Sequence, residues 1–536
     1  MRPTFFQLTV ALVVLGLLAR ALRYFLNFPL WGDEAFLAVN FLLRDFKGMI
    51  DPLVYGQIAP LAFMWIELAV TKAAGLSEMT MRLVPFVSGL LVLLLFWRFA
   101  SRNVGPAIAM LAVGFLAASY YPIRHAVEVK PYSTDLLVSL ILMMTAWSVY
   151  QNPKSFPRWS ALILLGGAAI WCSYPVIFMA AGVGVLLSGL ASRARSPGIL
   201  LGVLLYGGVL VASFAAMYVF YAKPHAEAAS GLKEIDMWTK TFPPLREPWK
   251  LPVWFAFIHT GNMFAYPLGG KNFASTPTFL LVIAGCIALW RTQRAAGSSS
   301  SKRVSSSVRS RRALLWLLLS PLPFNFVAAA LHTYPYGGTA RTSLFMAPAI
   351  CLLAAIGIFS LVGGLLPYPH RQRGLRIIGV ILCFITIACM VRDVIEPYKK
   401  PETAESRRVV RLLSEQMKEG DQVIVFLATE DVEHAPFIKE AKGMGAQLAF
   451  YLMQQMPVEL DGFGPPAEQV QPAAGRTWLI VFFRERKGTP IFVQEQLDAY
   501  LSQLEARLGP HQEPQSFSLK ETKKDRQRID VYCFSG

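Results

Sequence analysis

The sequence predicts a polytopic α-helical membrane protein followed by a small α/β domain. The chain has 536 residues, of which 54% are hydrophobic and only 16% are charged, whereas soluble domains carry about 25% charged residues. The mean hydropathy is +0.44, and long apolar blocks recur over the first 395 residues. This composition excludes a disordered chain, a secreted disulfide-rich scaffold and a simple cytosolic enzyme.

The net charge of +17 is unevenly distributed. From residue 396 onward the chain has 18 Lys+Arg and 21 Asp+Glu, a net charge of −3, so the first 395 residues carry +20. The excess basic residues lie in short loops between apolar segments, as the positive-inside rule expects of cytoplasmic loops. The charge therefore indicates membrane orientation, and we predict no nucleic-acid partner.

Eleven segments are predicted to span the membrane, since one crossing needs about 20 mainly apolar residues. The stretch 60–75 is apolar but short and contains Glu67 and Lys72, so we expect an interfacial or re-entrant helix there. Counting it as a span would also move the later basic loops to the opposite face. The predicted spans lie near residues 4–26, 82–100, 104–121, 133–150, 158–172, 174–192, 197–221, 275–292, 312–331, 343–363 and 376–395.

The basic loops predict the orientation of the chain. The loop 291–312 is the strongest case, because seven Lys and Arg residues alternate there with serines. If such loops are cytoplasmic, the N-terminus is cytoplasmic and the C-terminal region is extracytoplasmic. The outer face then collects a large first outer loop at 27–81, the loops 122–132, 222–274 and 332–342, and the C-terminal region.

Two domains follow from the change of composition near residue 395. Residues 1–395 form the predicted transmembrane domain, and residues 396–536 form a predicted soluble extracytoplasmic domain. Helices are expected near 403–418, 436–453 and 491–507, and strands at 422–427, 477–483 and 528–534. Strands that alternate with helices predict a small α/β domain.

The first candidate site is the acidic pair Asp33 and Glu34 in the first outer loop. A carboxylate at the membrane surface is costly unless it is solvated or paired, and it could act as a general base beside a lipid-borne substrate. The alternative is an acidic pair at a helix N-terminus, where the helix dipole favours negative charge. The dipeptide alone leaves both interpretations open.

The second candidate site is a run of titratable residues between two apolar spans, at positions 124–135. It contains Arg124, His125, Glu128, Lys130, Tyr132 and Asp135. The basic side chains could hold a phosphate, and Arg can do so with two hydrogen bonds. The alternative is a salt bridge within the loop, because Arg124 and Glu128 have i, i+4 spacing. We favour a site, since a simple reversal loop seldom needs such chemical variety.

The third candidate site lies between the ninth and tenth predicted spans and includes His332, Tyr334 and Arg341. An Arg at the end of a span is often only an anchor whose charged end reaches the interface. Gln57, before the interfacial helix, is a weaker candidate for substrate contact. His259 is interpreted as a polar surface residue, and no His/Glu spacing predicts a metal site.

Four ordered stretches resemble the GT-C glycosyltransferases. They are WGDEAFLAVNFL (31–42), YGQIAPLAFMWIELAV (55–70) with SEMTMRLVPFVSGLL (77–91), HAVEVKPYSTDLL (125–137) and YPYGGTARTSLFMAPA (334–349). The chain is similar to the bacterial family-39-like group, which is related to protein O-mannosyltransferases and to the lipid A aminoarabinose transferase. The resemblance covers about the first 400 residues.

The resemblance implies a function and a catalytic carboxylate. Such enzymes move a sugar from a polyprenyl-phosphate carrier to an extracytoplasmic acceptor, which can be a lipid, a glycan or a protein. An acidic residue of the first outer loop is their catalytic carboxylate; this role falls here on Asp33 as general base, with Glu34 beside it. A single displacement would invert the anomeric configuration.

One departure concerns the donor phosphate. The aminoarabinose transferase pattern has a Glu-Lys pair before the proline that matches Pro60, and its Lys serves the donor phosphate. This sequence has Ile58-Ala59 there. Phosphate binding is then expected from Lys130, Arg124 and Arg341.

The resemblance also implies the partners and the location. We expect a polyprenyl-phosphate sugar donor, an extracytoplasmic acceptor, the lipid bilayer and a place in the bacterial cytoplasmic (inner) membrane. No cofactor is expected, and a divalent metal stays open. Two other classes remain alternatives: a secondary transporter and a non-catalytic envelope assembly protein. Transporters, however, often have repeated halves and midplane charges, whereas the charges here cluster at span ends.

Overall fold

The structure is a computed structural model of the whole chain. It describes residues 3–230, 239–270, 274–291, 301–397, 402–418, 420–426, 450–451 and, with gaps at 468–469, 473, 487–488, 491–493 and 523–524, residues 467–534. The predicted helix at 436–453 falls largely outside these residues.

Helices make up most of the described chain. Several begin with proline in the first turn, as α6 does at Pro106 and α11 at Pro197, where the missing N–H costs no helical hydrogen bond. The α-helices are α1 Phe5–Phe25, α2 Gly32–Leu43, α3 Leu61–Ala74, α4 Glu78–Met81, α5 Leu83–Asn103, α6 Pro106–Ala118, α7 Tyr120–His125, α8 Tyr132–Gln151, α9 Phe156–Cys172, α10 Val176–Ala194, α11 Pro197–Met217, α12 Lys223–Ser230, α13 Leu251–Thr260, α14 Thr276–Arg291, α15 Ser301–Leu319, α16 Pro321–Ala330, α17 Ala347–Leu365, α18 Tyr368–Ile395, α19 Glu402–Ser414 and α20 Gln494–Leu508.

Within the described residues, eight helical segments are long and apolar enough to cross a membrane. Three further apolar helices, α6, α9 and α14, are shorter. All eleven predicted spans therefore coincide with apolar helices, but the count of eleven crossings is not confirmed. The expected interfacial helix is α3, which has 14 residues. The chain is an integral membrane protein with a small sheet-containing C-terminal region.

The chain divides into two compact units. Unit 1 comprises residues 1–26, 59–224 and 238–395, and unit 2 comprises residues 27–58, 225–237 and 396–536. The predicted domain division at residue 395 stays a prediction.

Unit 1 is a helical bundle with α6 and α17 at its centre. Every residue from 109 to 118 is buried, and α6 packs against α1, α17 and α18. Helix α17 crosses α14 closely because Gly285 and Gly357 each lie against the backbone of the facing helix. A buried ion pair joins α1 to α18, with 2.7 Å between the Arg23 Nη1 and Asp393 Oδ1 atoms.

Unit 2 contains a five-stranded sheet with strand order β1-β2-β5-β4, and β3 pairs with β2. Strands β1 and β2 are parallel, whereas the β2–β5 and β4–β5 pairs are antiparallel. Alternate residues such as Leu479 and Val481 pack with Leu497 and Leu504 of α20 in one apolar core. The strands are β1 Gln422–Phe426, β2 Thr477–Arg486, β3 Thr489–Pro490, β4 Gln515–Thr522 and β5 Asp525–Phe534.

The C-terminal predictions agree with these elements where the structure describes them. The strands predicted at 422–427, 477–483 and 528–534 correspond to β1, β2 and β5, and the helices at 403–418 and 491–507 correspond to α19 and α20. Strand β4 was missed because Gln515–Thr522 is polar and lies at an edge of the sheet.

Candidate active site

The acidic pair of the first outer loop begins helix α2 in unit 2. The Glu34 carboxylate accepts a hydrogen bond from the Trp31 N–H at 3.2 Å, and the Glu34 N–H donates to the Trp31 carbonyl at 2.8 Å. Glu34 is fully buried, whereas Asp33 is 9% exposed. Glu34 therefore caps its own helix, which is the structural alternative for this residue. Asp33 is the more exposed residue of the pair.

The rest of this loop folds back onto α2. The Asn40 side chain accepts a hydrogen bond from the Val54 N–H at 3.0 Å, and the Tyr55 ring packs 5.2 Å from the Phe36 ring. Burial raises the pKa of Tyr55 to about 12. The half-buried Gln57 donates to the Tyr55 carbonyl at 3.3 Å. These contacts fix the conformation of the loop that contains Asp33.

The same loop is tied to the C-terminal part of unit 2. The Leu30 N–H donates a hydrogen bond to the Tyr451 hydroxyl at 2.9 Å. Arg407 on α19 lies 3.4 Å from the Asn27 carbonyl. Unit 2 therefore joins the segment that carries Asp33 with elements from beyond residue 395.

The second candidate site lies in unit 1, at and after helix α7. Both oxygens of the Glu128 carboxylate are used: Oε1 lies 2.7 Å from Arg124 Nε, and Oε2 lies 2.7 Å from His125 Nδ1. The expected i, i+4 ion pair is thus present. Burial lowers the pKa of His125; Glu128 opposes this shift, and Arg124 and Arg341 add to it. Lys130 is 8% exposed, and its N–H donates to the Glu128 carbonyl at 2.7 Å.

The third candidate site is the loop 332–342, which we call the Arg341 loop. Gly337 and Gly338 have φ of +64° and +72°, in the left-handed region that favours glycine. The Thr342 hydroxyl donates to the Gly337 carbonyl at 2.9 Å, and the Tyr334 hydroxyl donates to the Thr342 carbonyl at 3.1 Å. These hydrogen bonds close the loop into a turn that contains Arg341.

The structure brings the second and third candidate sites together within unit 1. The Arg341 guanidinium lies 5.9 Å from the centre of the Tyr132 ring, and the His125 ring packs 5.1 Å from the same ring, edge to face. Tyr334 is close enough to Arg341 and Tyr132 for their charges to act on its hydroxyl. The predicted convergence of Asp33 with Lys130 and Arg341 involves both units and stays a prediction.

His332 lies at the edge of this arrangement. It is exposed and adopts φ of +56°, and its ring lies 4.6 Å from the Phe242 ring. Nothing in these contacts directs it toward Arg341 or Tyr132. Its predicted role in substrate binding stays a prediction.

Asp135, the last residue of the run of titratable residues at 124–135, is a buried carboxyl group to which the sequence analysis assigned no role. It is 6% exposed, lies beside the Ser173 hydroxyl, and is close to Tyr334. Its Oδ1 atom has no hydrogen-bond partner among the described residues. The available signal was a carboxylate at the start of an apolar span, because such groups are usually functional.

His259 is a second missed residue, since on helix α13 it is half-buried and packed among aromatic rings rather than at a polar surface. Its two ring nitrogens contact the Phe255 carbonyl at 2.8 Å and the Tyr336 hydroxyl at 3.1 Å. The sequence signal was its place in an apolar helix, LPVWFAFIHT. This contact leads directly into the Arg341 loop.

The described residues contain no group of three His, Cys, Asp or Glu side chains arranged to hold a metal ion. The question of a divalent metal stays open. What the arrangement offers chemically is the Asp33 carboxylate in unit 2 and a group of basic and tyrosine side chains in unit 1. The first suits proton transfer, and the second suits binding of an anion.

Solved structures share this architecture. ArnT from Cupriavidus metallidurans bound to undecaprenyl phosphate matches with a TM-score of 0.52 and 14% sequence identity, covering 97% of each chain. The apo form of ArnT matches with a TM-score of 0.51 at the same identity and coverage. The chain has a GT-C glycosyltransferase fold. At this identity the similarity shows the fold, and it extends the resemblance of the first 400 residues to the C-terminal region.

The structure of the Archaeoglobus fulgidus oligosaccharyltransferase in complex with Zn and sulfate also matches this chain. That match has a TM-score of 0.46 and 10% sequence identity, and it covers 95% of this chain and 72% of the other. No protein-family profile matches the sequence, and no curated protein is similar to it at the sequence level.

Proposed function

We propose that this protein is a membrane glycosyltransferase that moves a sugar from a polyprenyl-phosphate-linked donor to an extracytoplasmic acceptor. The observation that carries the proposal is the fold, which matches over 97% of the chain a structure of ArnT bound to undecaprenyl phosphate. The group of Arg341, His125 and Tyr132 in unit 1 supports it. Basic side chains of this kind suit a phosphate that leaves with negative charge.

The reaction is a single displacement at the anomeric carbon. The acceptor hydroxyl oxygen attacks that carbon while the bond from the carbon to the phosphate oxygen breaks. The Asp33 carboxylate takes the proton of the acceptor hydroxyl, and polyprenyl phosphate departs with the bonding electron pair. The configuration at the anomeric carbon inverts.

The donor phosphate is held by Arg341, Lys130 and Arg124 in this proposal. Arg124 binds Glu128 through its Nε and also interacts with Tyr120, so in this proposal it contributes positive charge beside the phosphate. Glu34, Gln57 and the tyrosines contribute by shaping the site. The sugar is a hexose or pentose carried on the lipid, and the acceptor is a lipid, a glycan or a protein.

The membrane location follows from the substrate. A polyprenyl carrier is delivered within the bilayer, so the enzyme belongs in the bacterial cytoplasmic membrane. The basic loops place the N-terminus in the cytoplasm and residues 396–536 outside it. The acceptor is then a component of the cell envelope.

Replacement of Asp33 tests the proposal. Asp33→Asn keeps the size of the side chain but removes its basicity, so transfer falls by about a hundredfold or more, as expected for loss of a general base. Asp51→Asn, at an exposed position of the same loop, is the matched control and keeps normal transfer. Mass spectrometry of lipids and envelope glycans from cells that carry each variant measures the lipid-linked donor and its product.

The outcomes separate the classes of function. Accumulation of a polyprenyl-linked sugar in the Asp33→Asn cells, with the protein folded in the membrane, supports the glycosyltransferase. Undiminished transfer excludes Asp33 as the base. If deleting the protein changes no lipid-linked sugar at all, a transporter or an assembly protein replaces the proposal.

A further inference from the structure

The side chain of His259 uses both of its ring nitrogens. Nδ1 lies 2.8 Å from the carbonyl oxygen of Phe255, one turn earlier on helix α13. Nε2 lies 3.1 Å from the hydroxyl of Tyr336, which belongs to the Arg341 loop. A carbonyl oxygen can only accept a hydrogen bond, so Nδ1 carries the proton. In the neutral ring Nε2 is then an acceptor, and the Tyr336 hydroxyl donates to it.

The surroundings of His259 favour this neutral form. Its ring is stacked between Phe255 and Phe279, with centroids 5.6 Å and 5.2 Å away and nearly parallel planes. Phe264 packs 5.4 Å away, and the titratable group that faces the ring is the Tyr336 phenol. Burial lowers the pKa of His259, because removal from water disfavours the charged imidazolium ion.

Tyr336 stands at the start of the turn that presents Arg341. It is 3% exposed, and its N–H lies 3.3 Å from the Thr241 carbonyl. Its ring also packs 5.7 Å from Trp254 of α13. The next two residues are the glycines with positive φ, and Asn262 donates to the Gly338 carbonyl at 2.8 Å. Fixing Tyr336 therefore fixes one end of the turn.

We propose that His259 is a positioning residue that, through Tyr336, holds the Arg341 loop in the conformation that binds the donor phosphate. This inference rests on the proposed function, because it needs Arg341 to meet a polyprenyl phosphate. His259 touches no reacting atom. It acts as a neutral hydrogen-bond acceptor, and through Tyr336 it fixes the position of the Arg341 guanidinium group.

A double-mutant cycle on the full-length protein in lipid nanodiscs tests the proposal, with undecaprenyl phosphate as the probe. His259→Phe keeps the aromatic stack but removes both ring nitrogens, and Tyr336→Phe removes only the hydroxyl. Each single variant weakens binding about three- to tenfold, the range for one lost buried hydrogen bond. The double variant binds no more weakly than the weaker single one, because both changes remove the same bond. His370→Phe, at an exposed site on α18, is the control and binds as the wild type does.

The readings separate this inference from the function it rests on. Single-variant effects that multiply in the double variant, or unchanged binding by both single variants, overturn the role of His259. If the wild-type protein itself does not bind undecaprenyl phosphate, the proposed donor is wrong, and Arg341 is not its receptor.

A second measurement then decides the hydrogen bond by itself. The ¹⁵N spectrum of histidine-labelled protein, with the His259 signal assigned by its loss in His259→Phe, reports the protonation of each ring nitrogen. A neutral ring protonated at Nδ1, whose Nε2 signal shifts in Tyr336→Phe, supports the hydrogen bond from Tyr336 to His259. A cationic ring, or a proton on Nε2, overturns it.

Discussion

Two segments of unit 1 carry basic residues to the same place by different physical means. The segment 120–135 holds Arg124 and His125 through one carboxylate, that of Glu128, at 2.7 Å each. The Arg341 loop is held by uncharged hydrogen bonds, two glycines with positive φ, and the contact between His259 and Tyr336. The first segment depends on charge, and the second depends on backbone geometry.

This difference teaches what each segment tolerates. A buried carboxylate that serves two partners cannot be removed without leaving both of them in a poorly solvated site. A turn held by neutral hydrogen bonds loses about 1 kcal/mol for each bond that is removed. We therefore expect substitutions in the first segment to affect stability most, and substitutions in the second to affect mainly the position of Arg341.

The largest expected effect comes from Glu128→Ala. The Glu128 and Arg124 side chains are only 2% and 13% exposed, so the change removes the carboxylate that Arg124 and the buried His125 share. We expect the free energy of unfolding to fall by about 3–5 kcal/mol. Thermal unfolding of the purified protein in detergent measures this loss.

A matched control exists in the exposed ion pair between Glu247 and Lys250, whose atoms lie 2.7 Å apart and whose side chains are 45% and 55% exposed. Glu247→Ala is expected to change stability by no more than about 1 kcal/mol. Equal losses for Glu128→Ala and Glu247→Ala would show that burial does not distinguish the two pairs, and the comparison would fail.

A smaller effect is expected from Gly338→Ala in the Arg341 loop. The residue has φ of +72°, which costs an L-residue about 1–2 kcal/mol, and the added methyl group would collide with the Thr241 side chain. The unfolding midpoint falls, and affinity for undecaprenyl phosphate falls with it because the turn moves Arg341.

Gly208→Ala provides the control, since this glycine lies in helix α11 with open space at its Cβ position. Alanine is the better helix former there, so stability is unchanged or slightly higher. Normal binding by Gly338→Ala would contradict the importance of the turn.

The smallest expected effect is a dependence of stability on pH through His259. Because burial lowers the pKa of His259 in the folded protein, the unfolded chain binds more protons than the folded one between the two pKa values. The free energy of unfolding is therefore highest above the unfolded pKa of about 6.5 and falls as the pH drops below it. Unfolding midpoints of the wild type and His259→Phe, measured from about pH 8 to about pH 5, isolate this contribution. Parallel curves for the two proteins would contradict it.

The helical architecture could be predicted because a membrane imposes a simple rule on sequence. Each predicted span coincides with an apolar helix. The segment 60–75, which was not counted as a span, contains the 14-residue helix α3, and its interfacial placement stays a prediction. Helices α6, α9 and α14 are also apolar, but they are shorter than the eight segments that are long enough to cross a membrane. Backbone groups must be paired inside a bilayer, so apolar length and helix go together.

The candidate sites were harder to predict, because their residues are distant in the chain. That Glu128 would bind both Arg124 and His125 depends on how the chain turns after α7, although the i, i+4 spacing of Arg124 had indicated one of the two pairs. His259 was misjudged because a histidine in a loop region carries no sign of its burial. His259 and Tyr336 are 77 positions apart in the chain, so no local sequence pattern indicates their contact.

By itself, the sequence determined that this chain lies in a membrane, that its helices follow its apolar blocks, and that chemically diverse residues gather between certain spans. Those properties depend on composition and on the local order of residues, because the hydrophobicity of each segment determines whether it lies in water or in the bilayer. The tertiary structure alone decided that Arg341 and His125 both lie beside Tyr132, and that the His259 imidazole contacts the turn that precedes Arg341. Such contacts depend on the packing of helices that are far apart in the chain, and packing is a property of the whole bundle.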